Sequence, residues 1–329
     1  VNPTIAELIA AAERRGLSHR FPGNCANSEF LELSDGARSL FVNKTKTPFL
    51  SAVHSKIVTD KLLSSRMLEA AGLPVAPKQL SAGVSAADEK FLETHREIVI
   101  KPNRADRGVG VTERVRSLDA LHSAFAKACA YGPVLLEKYV YGKEYRILVI
   151  DGRAVATLER KPLVIIGDGV SSVKSLLERL NSDPRRGPAS RNHALRPIKF
   201  DQNMNDRLRR LRLRLEDTPA AGEKLQLSFA NHLDSGGVAC DRTDEAHPDN
   251  LRLAIAAARL FCVDVAGIDM ICPDIASPLK SGDQAAILEV NPGPDIRWHI
   301  YPAEGSSRPV ADEFVEYLFQ RSNKAPPSQ

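Results

Sequence analysis

Apolar and polar positions follow two rhythms along this 329-residue chain, and each change of rhythm marks an element. A 3.6-residue period predicts a helix over 4–15, with Ile5, Leu8 and Ile9 on one face, Thr4 as cap and Gly16 as stop. Alternation then predicts strands over 29–33 and 39–42 around a Ser34-Asp-Gly36 turn. The helical period returns over 55–71, with Ile57, Leu62, Met67 and Leu68 as apolar positions, and Gly72 ends it. Next come a strand at 97–101, a helix at 118–130, and strands at 134–140, 144–150 and 155–158; Asp151-Gly152 is a strong hairpin signal. A short helix is expected over 172–181, a leucine-striped helix over 205–215, and a long amphipathic helix over 248–263. Two short apolar runs, 265–272 and 285–292, read as neighbouring antiparallel strands joined by a long polar turn. A helix over 310–320 precedes a polar tail, 321–329, expected to be disordered.

The two late strands carry acids where a buried strand should be apolar. Side chains alternate with period two, so Glu289 and Asn291 share a face, and Asp269 joins them if the register allows. Two carboxylates and an amide oxygen make a hard oxygen site suited to Mg²⁺ held jointly with phosphates. Acids that cluster without a counter-ion repel one another, so neutralising Asp269 or Glu289 is expected to leave the fold intact or firmer. The strand at 97–101 ends in Lys101-Pro102 and runs into a loop with Gly108 and Gly110. Glycines there let backbone N–H groups approach phosphate oxygens, and the lysine adds a point charge; an ordinary hairpin turn explains the loop as well. Leu233-Asp-Ser-Gly-Gly237 suits close approach to an oxyanion, or is a plain connector. Local pattern places Lys61 within a helix as a surface lysine. Glu137, Glu144, Arg146 and Arg160 are expected on consecutive strands of one sheet. Arginines 207, 209, 210, 212 and 214 surround Leu208, Leu211 and Leu215, a solvated amphipathic face by pattern.

Composition adds bounds. Charged residues make up 26% and the net charge is +4, too mild to argue for nucleic acid, and no aromatics interleave the arginine cluster. The five cysteines show no Cys-x-x-Cys spacing, which fits free thiols in a reducing, cytoplasmic setting. No apolar run reaches membrane length, so no membrane partner is expected. The chain starts at a valine and is compatible with a processed form or a piece of a longer protein.

The order of these features resembles the ATP-grasp carboxylate–amine ligases from about residue 36 onward. Asp60-Lys-Leu-Leu-Ser-Ser-Arg-Met-Leu-Glu-Ala-Ala-Gly-Leu-Pro-Val-Ala-Pro77 is similar to a helix of D-alanine–D-alanine ligases. A nearer resemblance is to the ATP-grasp module of cyanophycin synthetase and of bifunctional glutathione synthetases. It is carried by Gly36-Ala-Arg38, Val164-Ile-Ile-Gly-Asp-Gly169, Asn181-Ser-Asp-Pro-Arg-Arg-Gly187, Ser235-Gly-Gly237, Thr243-Asp-Glu-Ala-His-Pro248, Ala266-Gly-Ile-Asp269, and Glu289-Val-Asn-Pro292 with Arg297. The chain departs from the family in having His232 where an asparagine is usual and Ser-Phe-Ala where an arginine stands upstream.

The resemblance implies an α+β ATP-grasp fold, two lobes with antiparallel sheets enclosing ATP. It divides the chain into an N-terminal remnant of the preceding domain (1–54), a small lobe (55–135), a large lobe (136–320) and the tail. Lys61 and Lys101 would bind ATP phosphates beneath the loop of Gly108 and Gly110. Glu137, Lys138, Tyr139 and Val140 would line the adenine pocket, and Glu144 would take the ribose. Asp269, Glu289 and Asn291 would hold Mg²⁺, with Mn²⁺ as an alternative. Arg160 and Ser235, Gly236 and Gly237 would face an acyl phosphate, and Arg297 and Arg308 would bind substrate carboxylates. The expected function is ATP-dependent, ADP-forming ligation of amino-acid or small-peptide substrates. The alternatives are an ATP-binding module without its own chemistry and an arginine-helix adaptor for acidic polymers. Homo-oligomer formation is left open.

Overall fold

The computed structural model describes residues 1–25, 28–104, 109–188, 192–200, 202–228, 233–279 and 285–323. The chain divides into two compact units, one of residues 45–157 and 244–294, the other of 1–44, 158–243 and 295–329.

The first unit holds two antiparallel arrays. One is a four-stranded sheet in the order Lys78–Ser81, Val134–Lys138, Ile98–Pro102, Thr112–Val115. Its pleat sorts the side chains. Ile98, Ile100, Val134 and Leu136 pack with Leu92 of the Ala86–His95 helix and with Leu121, Ala124 and Ala128 of the Leu118–Cys129 helix. Lys78, Val99, Lys101 and Glu137 alternate with these residues and take the opposite face. In the other array Val265–Cys272 lies between Lys143–Ile150 and Ala286–Pro292. Its apolar residues Ile147, Val149, Ala266, Ile268 and Met270 pack with Ala254, Ala257 and Phe261 along the Pro248–Leu260 side of the core. The hairpin at Asp151-Gly152 has positive φ at both residues, 48° and 72°, the backbone that a tight two-residue turn requires. Glu137 therefore lies in a different sheet from Glu144, Arg146 and Arg160.

The helix predicted over 55–71 is two helices, Ala52–Thr59 and Lys61–Ala70. Asp60 is extended between them (φ −88°, ψ 100°) and its carboxylate caps the second by accepting from Leu63 N at 3.1 Å.

In the second unit the Pro3–Arg14 helix buries Ile5, Leu8, Ala11 and Ala12. Its cap is Asn2, which accepts from Thr4 N, and not Thr4 itself; Pro3 occupies the first helical position. Strands Ser18–Arg20, Phe30–Ser34 and Ser39–Asn43 form a small sheet, and Val310–Ser322 closes the unit. A separate small core joins Leu163, Ile165, Val173, Leu177, Met204, Leu208 and Leu225. The arginine-rich helix ends at Arg210 rather than 215, because Arg212 turns to φ 57°; Leu211, Leu213 and Leu215 still pack beside the core as a turn. Strand Arg153–Lys161, longer than predicted, pairs in this unit with Val238–Asp241.

Candidate functional site

The strand register in the first unit answers the question the alternation left open. Asp269 stands opposite Glu289 on one side and opposite Arg146 on the other, and Gly267 stands opposite Asn291. A bulge follows Asp269: Met270 pairs with Ile287, so Leu288 is the extra residue. Asp269, Glu289 and Asn291 thus share one face. Asn291 Nδ2 donates to Asp269 Oδ2 at 3.1 Å and to the Gly267 carbonyl at 3.3 Å.

Cations meet these acids. Arg146 binds Asp269 through two parallel bonds, Nε–Oδ1 and Nη2–Oδ2, both 2.7 Å. Gly267 makes room for it, since a Cβ there would lie 3.4 Å from Arg146 Cδ and 2.8 Å from Pro294 Cβ. Burial works against the Arg146 charge, but Asp269 outweighs it and holds the guanidinium above its usual value. Lys61 Nζ lies 3.4 Å from Glu289 Oε1. Lys61 is buried, not the surface lysine of local pattern. Its helix start is tied to the end of strand Ile98–Pro102: Leu62 N donates to Asn103 Oδ1 at 3.0 Å, and Asn103 Nδ2 to Asp60 at 2.9 Å.

The charged face of the four-stranded sheet adds a second knot. Lys101 Nζ is 2.8 Å and Lys78 Nζ 3.4 Å from Glu137 Oε2; Lys78 also donates to Ser65 Oγ at 3.1 Å. Burial opposes all three charges. For Glu137 the two lysines win, and its carboxyl is held below the ordinary range. For Lys101, Glu137 and Glu289 win and the ammonium is strengthened. For Lys78 burial wins, and its ammonium is weakened. Lys78 escaped the sequence reading because nothing local separates a buried lysine from a surface one; a charge inside an otherwise alternating strand was the available signal. Gly110 has φ +72°, and a Cβ there would meet Pro102 Cγ at 2.9 Å; Gly108 lies outside the described residues. The N–H groups of Lys138 and Tyr139 already donate to Pro77 O and Glu97 O at 2.9 and 3.0 Å, and Val140 follows them at the strand's end. Glu144, opposite Ile271, lies two residues from Arg146 on the same strand and face.

The remaining predicted residues belong to the second unit. Leu158, Leu233, Ala239 and Trp298 form a small apolar cluster, and the elements that supply them carry Arg160, the Ser235–Gly237 turn and Arg297. Arg160 is buried, opposite Ala239. Gly236 has φ +98°, and a Cβ would stand 2.7 Å from Ile198 Cγ1, so packing as well as any ligand requires glycine. Arg297 binds Asp295 (Nη2–Oδ2 2.6 Å, Nε–Oδ1 3.1 Å), and Arg308 binds Asp241 (Nη2–Oδ2 2.6 Å). His232 lies outside the described residues. The predicted residues therefore divide between the two units.

The donor set fits Mg²⁺ by its chemistry: two carboxylates and an amide on one face supply hard oxygen donors. Among the described residues no group of three or more His, Cys, Asp or Glu side chains could hold a metal ion; here the third donor is an amide.

No family model matches the chain. Curated proteins do. It is 32% identical over 332 residues to cyanophycin synthetase of Trichormus variabilis, covering 99% of this chain and 36% of that protein. It is 29% identical over 320 residues to the glutathione biosynthesis bifunctional protein GshAB of Clostridium perfringens, covering 95% of this chain and 40% of that protein. The crystal structure of a bifunctional glutathione synthetase from Pasteurella multocida superposes over 97% of this chain and 43% of that one, with a TM-score of 0.68 and 27% identity. The chain belongs to the ATP-grasp ligase family. It spans little more than a third of the length of the cyanophycin synthetases it matches. The α+β fold with several antiparallel sheets is the ATP-grasp fold that the resemblance implied. Among the described residues no helix is long and apolar enough to cross a membrane.

Proposed function

We propose that this chain is an ATP-dependent, ADP-forming ligase joining a carboxylate to an amine, with amino-acid or small-peptide substrates and a cytoplasmic setting. The observation that carries the reading is the convergence of Lys61 on Glu289, opposite Asp269, in the unit that also holds Lys101. ATP-grasp homologues bind ATP and Mg²⁺.

On this reading Lys61 and Lys101 exchange part of their carboxylate contact for ATP phosphates, beneath the loop of Gly108 and Gly110. Glu137 keeps the Lys101 ammonium charged and in place. Glu144 takes the ribose, and the remaining backbone groups of 138–140 read the base, since two N–H groups there are engaged. Asp269, Glu289 and Asn291 would hold Mg²⁺, which when bound offsets charge on the phosphates. The γ-phosphoryl passes to the substrate carboxylate, giving an acyl phosphate and ADP, a step governed by positioning and electrostatics. The amine then attacks, phosphate leaves, and a peptide or isopeptide bond forms. Arg160 with the Ser235–Gly237 turn stabilises the tetrahedral oxyanion; Arg297 and Arg308 hold substrate carboxylates.

Screening carboxylate and amine pairs tests this. ADP should appear only with the right carboxylate, and hydroxylamine should trap a hydroxamate; release of AMP and pyrophosphate would mean adenylation and end the proposal. A second reading, ATP binding without independent catalysis, is favoured by the match to only part of each relative. It predicts ATP affinity with no ADP from any pair.

A further inference from the structure

One arginine has no task in that scheme. Arg196 is 4% exposed, and its guanidinium lies over the Trp298 ring, 4.6 Å from the centroid. Its Nη1 donates to the His193 carbonyl at 2.9 Å. Its Nε is buried without a hydrogen-bond partner among the described residues. A carboxylate oxygen of Asp234 stands 3.7 Å from that nitrogen, on a side chain 78% exposed. Arg196 packs with Asn192, His193, Arg297, Trp298 and Tyr301 around a tight cleft that has no free room for a water molecule in this structure.

Two guanidinia face one cleft, and the acids do not balance them equally. Arg297 is engaged by both oxygens of Asp295. Among the described residues the acid nearest Arg196 is Asp234, at the longer distance of 3.7 Å and exposed to screening by water. Burial, and then the charge of Arg297, push Arg196 below its ordinary guanidinium value. A buried N–H donor without a hydrogen-bond partner, beside a second guanidinium, calls for an anion. A guanidinium stacked flat on an indole keeps its fork fixed, and a planar carboxylate matches that fork with two parallel bonds. We propose that Arg196 and Arg297, backed by Trp298, form a subsite for one carboxylate of an amino-acid substrate. This rests on the ligase reading above and adds a residue to it.

Trp298 is the single tryptophan of the chain, so its fluorescence reports this cleft without any turnover. The full chain is titrated with the common amino acids, with L-alaninamide as a carboxylate-free control, and with inorganic phosphate. At least one amino acid should give a saturable change that L-alaninamide does not. Arg196→Met should weaken that binding by about 10- to 100-fold, the scale of a lost charge-assisted pair, with ATP affinity by calorimetry unchanged. Arg196→Lys, which keeps the charge but not the fork, should fall between and serves if the methionine variant does not fold. An equal response to L-alaninamide, no saturable response to any amino acid, tighter binding of phosphate, or full amino-acid affinity in Arg196→Met would each overturn the subsite. Absence of ADP from every substrate pair would instead sink the ligase reading and leave the fluorescence result standing.

Discussion

Asp269 illustrates how a partner changes what a residue is worth. An acid cluster without a counter-ion should relax when neutralised, but Asp269 is held by Nε and Nη2 of Arg146 inside the protein. Asp269→Asn should therefore destabilise by about 3 kcal/mol, because it strands a buried guanidinium. Glu289, 30% exposed and 3.4 Å from Lys61, should cost about 1 kcal/mol or less as Glu289→Gln. Urea unfolding separates the two, and equal losses would contradict the pairing. Both should lower ligase turnover by about 100-fold or more if they act on the transferring phosphoryl group. Glu137 offers a pH test. Its folded pKa is depressed, since the lysines outweigh burial. The unfolded chain then binds more protons between the lowered value and the ordinary carboxylate value, so stability falls as pH falls through that window. The wild type should exceed Glu137→Gln by about 3–5 kcal/mol near neutral pH, and the gap should close in acid. A gap independent of pH would remove the charge argument.

At the scale of elements, the break at Asp60 matters most. A continuous helix would place Lys61 by helical period alone. Instead Asp60 ends one helix, caps the next, and accepts from Asn103 and from Arg104, whose Nη2 lies 2.8 Å from Oδ2. Asp60→Ala should cost about 1–2 kcal/mol in urea unfolding and weaken ATP binding, because this carboxylate caps the helix that begins at Lys61 and ties it to Asn103; unchanged ATP affinity would show that the turn does not position the lysine. Gly110 sits under two constraints, a φ of +72° and Pro102 against its missing Cβ. Gly110→Ala should destabilise by more than about 1 kcal/mol, measured in the same way. The periodicity that located these elements could not show the break at Asp60, since apolar spacing continues across it. It also extended the arginine-rich helix past Arg210, because the following leucines pack as a turn with helix-like spacing.

For the whole molecule, a ligand that binds the folded chain must stabilise it. Mg²⁺ and ATP at about 100 times Kd should add about 2.7 kcal/mol, read as a rise in Tm that Lys101→Ala removes; a rise of equal size in that variant would detach Lys101 from the nucleotide. The order of elements, the antiparallel pair 265–272 and 285–292, and the Asp151-Gly152 hairpin were legible in the chain itself, because local backbone preference and pleat alternation decide them. So was the shared face of Glu289 and Asn291, which period two dictates. The homology to ATP-grasp ligases was legible too, since motif order survives where whole-chain identity is near 30%. Tertiary structure alone decided which charges meet. Register set Asp269 between Glu289 and Arg146. Sheet order put Lys78 and Lys101 on one Glu137, and a distant tryptophan came to lie under Arg196. Such pairings depend on contacts across many residues of sequence, and a lysine's neighbours in the chain carry no information about whether its ammonium faces water or a buried carboxylate.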